Sequence, residues 1–135
     1  HARHLYDEQY VCAMRKGHAA AGGLDLDRFC ALEHVIMSMA GDAFSGVTDE
    51  ALAALGRQRR VLLSLPSFLL LLEVLRNSDL IAVLPRRLIQ PGDGLQILEP
   101  PLTIPGFRKL LVWHERTQQH PAHRWIRALL SEVCN

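Results

Sequence analysis

Three histidines and a glutamate crowd the C-terminal part of the chain, His114, Glu115, His120 and His123, and zinc-dependent hydrolysis is the first chemistry such a group suggests. The spacing argues against it. A helical zinc site takes two histidines one turn apart with the glutamate beside the first, whereas His120 follows His114 by six positions. His120 and His123 are three apart, but His120 precedes Pro121, where a helix-capping residue is expected. Capping or solvated histidines are the better account, and no metal is expected.

Nucleophilic chemistry has equally little support. There is no GxSxG nucleophile elbow and no phosphate-binding loop, and Gly92-Asp93-Gly94 reads as a turn. Cys12, Cys30 and Cys134 are odd in number and widely spaced, without a CxxC pair, which suits a reducing compartment and core packing. Neither catalysis nor a cofactor is expected.

Binding chemistry is better served. Two apolar runs end in loops, one after Ser38 and one at Leu65-Pro66-Ser67-Phe68. In an open α/β sheet these loops fall at neighbouring strand ends, the usual place for a ligand, and the second opens a helix whose free amides can hold an anion. The plain structural alternative is that Ser67 caps its helix and Phe68 packs in the core.

The elements that must position these loops can be read from periodicity and punctuation. Strands are expected at Tyr10-Met14, His34-Met39, Arg59-Leu65 and Leu80-Leu84, with shorter extended pieces at Leu95-Leu98 and Leu110-Trp113. Asp25 should cap a short turn through Phe29. Thr48 to Gly56 has a hydroxyl cap, early acids and a terminal glycine, the signature of a helix. Phe68 to Arg76 is apolar nearly all round and reads as a buried helix. The last helix starts at Pro121 and repeats Trp125, Ile126, Leu129, Leu130 and Val133 along one stripe. Strands alternating with helices predict an α/β fold, three layers deep, with a mostly parallel sheet flanked by helices.

Composition bounds what this domain can do. The chain has 135 residues, 49% hydrophobic, with 15 Lys plus Arg against 14 Asp plus Glu, enough for one globular domain and too balanced for a nucleic-acid-binding surface of its own. The apolar run Val61 to Leu75 is too short and too interrupted to cross a bilayer. No signal-peptide h-region is visible. Without an initiating methionine, the chain is expected to be a segment of a longer protein. The basic clusters Arg57, Arg59, Arg60 and Arg86, Arg87 read as solvated surface, with inter-subunit or inter-lobe ion pairs the second reading.

Several stretches are familiar as a set: Gly46-Val47-Thr48-Asp49-Glu50-Ala51-Leu52; Leu65-Pro66-Ser67-Phe68; Asn77-Ser78-Asp79-Leu80 through Pro85-Arg86-Arg87; Trp113-His114-Glu115-Arg116; and His120-Pro121-Ala122-His123-Arg124-Trp125. In this order they resemble the effector-binding domain of LysR-type transcriptional regulators, over essentially the whole chain. One departure is His18-Ala19-Ala20, where that family often has His-Pro-Leu.

The resemblance implies one lobe of a type II periplasmic-binding-protein-like fold, with the second regulatory lobe at about residues 5–100 and a return strand and helix at about 101–135. It implies a ligand-sensing, non-enzymatic role in a cytoplasmic regulator, with the DNA-binding winged helix-turn-helix outside this chain and no membrane partner. The implied effector contacts are Ser38, Met39, Gly41, Phe44, Pro66, Ser67 and Phe68, facing a small organic inducer, an organic acid or an aromatic. Ser67 would supply a hydroxyl, the amides near Phe68 an anion contact, and Phe68 an apolar wall. Self-association is expected, burying the apolar stripe of the last helix or an exposed sheet edge against a second copy. The competing classes are a solute-binding protein lobe of the same fold and, further off, a small metal-dependent hydrolase.

Overall fold

A computed structural model describes residues 1–135. The elements run β1 (Ala2–Glu8), β2 (Tyr10–Arg15), α1 (Leu26–Ala31), β3 (Glu33–Met37), α2 (Val47–Ala54), β4 (Arg60–Leu65), α3 (Phe68–Arg76), β5 (Ala82–Pro85), β6 (Leu95–Leu98), β7 (Phe107–Val112) and α4 (Pro121–Cys134). They gather into two compact units, residues 10–105 and residues 1–9 with 106–135.

In the first unit, Val11, Cys12, Ala13 and Met14 of β2 have no exposed surface. Such burial requires neighbours on both edges and cover on both faces. β5 and β6 supply the edges, both antiparallel to β2, while β3 and β4 pair in parallel. A parallel bridge between His34 and Ile81 joins the two sets, with Val35 N–H donating to the Ile81 carbonyl at 2.9 Å. The spatial order is therefore β4-β3-β5-β2-β6, with β2 alone running against the others. The mostly parallel sheet is present in these strand directions.

Alternation along the strands then separates two cores. Val11, Ala13, Val35, Ala82 and Leu84 face α3, meeting Leu71, Leu72 and Leu75. Cys12, Met14 and Ile81 turn the other way, toward Phe29 of α1 and Leu52 of α2. Helix, sheet and helix make the three layers. A buried leucine such as Leu71 or Leu75 contributes about 2 kcal/mol through removal from water.

Local chemistry sets the helix ends. Asp25 accepts from Arg28 N–H at 2.8 Å and starts α1 as expected. For α2 the expected hydroxyl cap is not used: Thr48 lies inside the first turn, buried, and Gly46 is the N-cap. Gly46 has no side chain to offer, so the local bond runs the other way, its N–H donating to the Asp49 carboxylate at 2.8 Å. Gly56, at φ +66°, stops α2 by returning its own N–H to Ala53 and that of Arg57 to Leu52.

Two further expectations need correction. α3 is not buried all round: Leu69 is 80% exposed and Leu70 about half, because a nine-residue helix lying on one sheet can cover only one face. Arg59 is not solvated surface either. It enters β4 beneath α2, and its side chain is 2% exposed.

In the second unit, β1 pairs antiparallel with β7, with a register shift between His4 and Tyr6. Gly106 opens this pairing, and a Cβ there would lie 2.1 Å from the Glu8 carbonyl oxygen, so only glycine permits the approach. Trp113 is held between the His1 ring and the guanidinium of Arg127, which is 4.8 Å from the indole. Arg127, the buried residue of α4, donates to the Thr117 and Gln118 carbonyls. His120 occupies the N-cap position of α4, but its ring makes no capping bond and packs edge-on against His123. The capping histidine is His114, whose Nδ1 accepts from Arg116 N–H at 3.1 Å.

Candidate functional site

The parallel strands β3 and β4 end side by side, Met37 opposite Leu65, and Ser38 N–H extends the pairing to the Leu65 carbonyl at 2.9 Å. Both chains then leave the sheet at its carboxyl edge, one as the loop 38–46 and the other through Pro66-Ser67 into α3. Tertiary bonds hold the loop against this edge. Ser64 Oγ donates to the Ala43 carbonyl at 2.6 Å, and Gly41, at φ +70°, lies against the Pro66 ring. A Cβ on Gly41 would stand 3.4 Å from Pro66 Cδ, so a side chain would meet both backbone strain and a tight neighbour.

The seven residues singled out in the sequence divide by role. Ser67 caps α3, its Oγ accepting from Leu70 N–H at 3.4 Å. Phe68 is half-buried and packs against the core under α3. Ser38 organises its own loop, Oγ accepting from Ala43 N–H at 3.2 Å and donating to Asp42 at 3.3 Å. Gly41 and Pro66 join the two segments. Met39 and Phe44 point outward, 90% and 52% exposed.

Behind the loop lies an ionic network that the sequence did not reveal. Arg59 Nε and Nη2 donate to the two Asp49 oxygens at 3.0 and 2.9 Å, and Arg59 Nη1 reaches His34 Nδ1 at 3.3 Å. His34 Nε2 donates in turn to the Phe29 carbonyl at 2.8 Å. Burial pushes His34 down to about 4, and the Arg59 charge adds to that effect, so the ring is neutral at pH 7. Burial by itself would raise Asp49, but the hydrogen bonds and charge of Arg59 outweigh it and hold the carboxyl below its ordinary value. The network fixes the start of α2, and with it the end of loop 38–46 at Gly46. No local spacing signals it, because its members come from different elements.

The remaining candidates have structural surroundings. Burial pushes the Cys12 thiol up to about 12, which leaves no thiolate for chemistry. His18 is buried, donating from Nε2 to the Asp79 carbonyl at 2.8 Å and accepting at Nδ1 from Ala20 N–H at 2.9 Å. This pins the loop at which the chain lacks a proline. No group of three or more His, Cys, Asp or Glu side chains is arranged to hold a metal ion. No helix is long and apolar enough to cross a membrane. A shallow groove between α2 and the Thr103–Pro105 segment shares no residue with the strand-end site and has few polar groups to orient a ligand.

Comparison with known proteins gives a consistent result. Residues 1–135 match the family described as the LysR substrate binding domain. The chain is 34% identical to the HTH-type transcriptional regulator LinR of Sphingobium indicum over 133 residues, covering 96% of this chain and 44% of that protein. It is 33% identical to the HTH-type transcriptional activator NagR of a Ralstonia species, with 97% and 44% covered. Among solved structures, the regulatory domain of MexT, a transcriptional activator in Pseudomonas aeruginosa, superposes with a TM-score of 0.81 at 30% identity, covering 98% of this chain and 66% of that one. The chain thus spans less than half the length of these curated relatives.

Proposed function

The chain belongs to the LysR substrate-binding domain family, and from that premise we propose that it is the effector-sensing part of a transcriptional regulator, binding a small organic molecule at the strand ends of residues 10–105. In this reading, the second regulatory lobe spans about residues 5–100, a return strand and helix follow at about 101–135, and the facing lobe lies in the rest of the protein. The effector sits between lobes, touching Ser38, Met39, Gly41, Phe44, Pro66, Ser67 and Phe68 on this side. The protein is cytoplasmic and not an enzyme. DNA is held by a separate winged helix-turn-helix.

The observation that carries the reading is the junction of Gly41 with Pro66. It brings two loops together at the carboxyl edge of parallel strands, where open α/β sheets bind ligands. The loops leave Met39 and Phe44 without cover, and a facing lobe would enclose them with the ligand. Binding favours the closed lobe arrangement by its differential affinity for that state, and the shift is passed to the oligomer on DNA. The exposed stripe Trp125, Ile126, Leu129 and Val133 of α4 is the surface through which the isolated chain would self-associate.

The test uses Met39→Asp in the full-length protein. Met39 is 90% exposed, so the change should leave the melting temperature within a degree or two. A panel of small organic compounds should raise the wild-type melting temperature and change reporter transcription, and the variant should lose both responses. Unaltered responses in the variant would remove the strand-end site.

A further inference from the structure

The charge distribution around the strand ends bears on what the effector is. Loop 38–46 and the turn 65–70 contain one ionisable side chain, Asp42, which is exposed. The other exposed residues of these two segments are mostly apolar, Met39 and Phe44 from the loop and Pro66, Leu69 and Leu70 from the turn and the first residues of α3, with Ser45 the polar exception. Neither segment contains a lysine or an arginine. Arg86 and Arg87 follow β5 at the same edge of the sheet, but Arg86 is ion-paired with Glu99, and Arg87 also has a partner within the protein.

Asp42 is held in place. Ser38 Oγ donates to one carboxylate oxygen at 3.3 Å, and Ser38 is itself fixed by Ala43 N–H and by its backbone bond to Leu65. An ionised carboxylate has about four acceptor sites, so most of its capacity faces outward. Its neighbour Gly41 lies against Pro66, one residue before the Ser67 that opens α3.

We propose that this face selects an uncharged, largely apolar effector bearing a hydroxyl group, a phenol or an alcohol, whose O–H donates to Asp42 while its hydrocarbon part rests on Met39, Phe44 and Leu69. The proposal rests on the effector-site reading above. A carboxylate effector would bring a negative charge toward Asp42 with no cation from either loop to offset it, in a cleft where closure excludes water and strengthens the repulsion. The first amides of α3 offer an anion only partial charge, and the Leu70 amide is already bonded to Ser67. A neutral hydroxyl meets the opposite situation, because a hydrogen bond to an ionised acceptor is stronger than one between neutral groups. The carboxylate also rejects an isostere that lacks the donor, since the acceptor would then be buried without a partner.

Matched pairs of probes test this on the full-length protein: phenol against benzoate, hydroquinone against 4-hydroxybenzoate, and cyclohexanol against cyclohexanecarboxylate, with binding read by calorimetry and thermal shift. The neutral member of at least one pair should bind at least tenfold tighter than its acid. Asp42→Asn should weaken that binding about tenfold without changing the melting temperature of the free protein, and Asp42→Lys should reverse the preference toward the acid. Tighter binding of the acids to the wild type, indifference of the neutral probes to Asp42→Asn, or binding by no member of the panel would overturn the proposal. Met39→Asp separates the two ideas: an acid that binds the wild type and is lost in Met39→Asp leaves the strand-end site standing and removes only the assigned effector class.

Discussion

Arg59 grips both oxygens of Asp49 from ten residues away, across the end of α2 and the turn that follows it, with its own side chain withdrawn from solvent. The pair also meets His34, so one guanidinium ties the first turn of α2 to the start of β4 and the beginning of β3. Asp49 in turn receives the Gly46 N–H, the last residue of the loop proposed to touch the effector.

Breaking that pair should be costly. Arg59→Met leaves a partly buried carboxylate without its partner, and we expect a loss of about 2 kcal/mol in chemical denaturation. The double change Arg59→Met with Asp49→Asn should lose clearly less than the sum of the two single changes, because the uncompensated charge is gone. Additive losses would mean that the pair is not coupled.

Acid should act through the same network. His34 is held neutral with its pKa near 4, against 6.5 when unfolded. The unfolded chain therefore binds the extra proton first, and the contribution of His34 is full above pH 6.5 and lost as pH falls toward 4. Over that window the loss is about 3 kcal/mol. The depressed Asp49 adds a further loss below its unfolded value of 3.8. Urea midpoints measured from pH 7.5 to 4.5 should fall steeply for the wild type and less steeply for His34→Gln. Equal slopes would contradict the assignment.

Gly106 and Gly22 should respond very differently to alanine. Gly106→Ala drives a methyl group into the Glu8 carbonyl and should cost at least about 2 kcal/mol by separating β1 from β7. A methyl group on Gly22 would meet nothing within 4 Å, so Gly22→Ala should change stability by no more than about 0.5 kcal/mol. Thermal melts of the two variants side by side check both.

Cys12 should be silent toward thiol reagents. With its thiol pushed up to about 12 and no surface exposed, it should react at pH 8 only after denaturant unfolds the chain. Mass spectrometry after iodoacetamide treatment, with and without urea, reads this out. Alkylation of Cys12 in the folded protein would mean that β2 opens far more readily than its burial implies.

Association of the isolated chain should depend on α4. Leu129→Glu places a charge in the exposed stripe with Trp125, Ile126 and Val133, and sedimentation should shift from associated species toward monomer. A chain that is monomeric at high concentration before the substitution would count against association through this face.

Features that depend on neighbouring residues were legible in the order of amino acids. The Asp25 and Ser67 caps, the Gly56 stop and the first-turn Pro121 all act within one helical turn, and the structure has them where residue type and spacing indicate. The alternation of strands and helices likewise predicts the three layers. The stretches that resemble the LysR effector domain identify the family, because each sits in family order along one chain.

Contacts between residues distant in sequence, or competing for the same cover, could not be read that way. Nothing local distinguishes Arg59 from Arg60, yet the first is buried against Asp49 and the second is exposed beside Glu33, because only the first points under α2. Nor does the leucine run of α3 say which side meets the sheet: Leu71, Leu72 and Leu75 are covered and Leu69 is not, a choice made by the direction in which α3 leaves β4. The same holds at the strand ends. Residue types placed Ser38 and Ser67 in loops, but the packing of Gly41 on Pro66 and the bond from Ser64 to Ala43 bring those loops together, and both contacts exist only once β3 and β4 lie side by side.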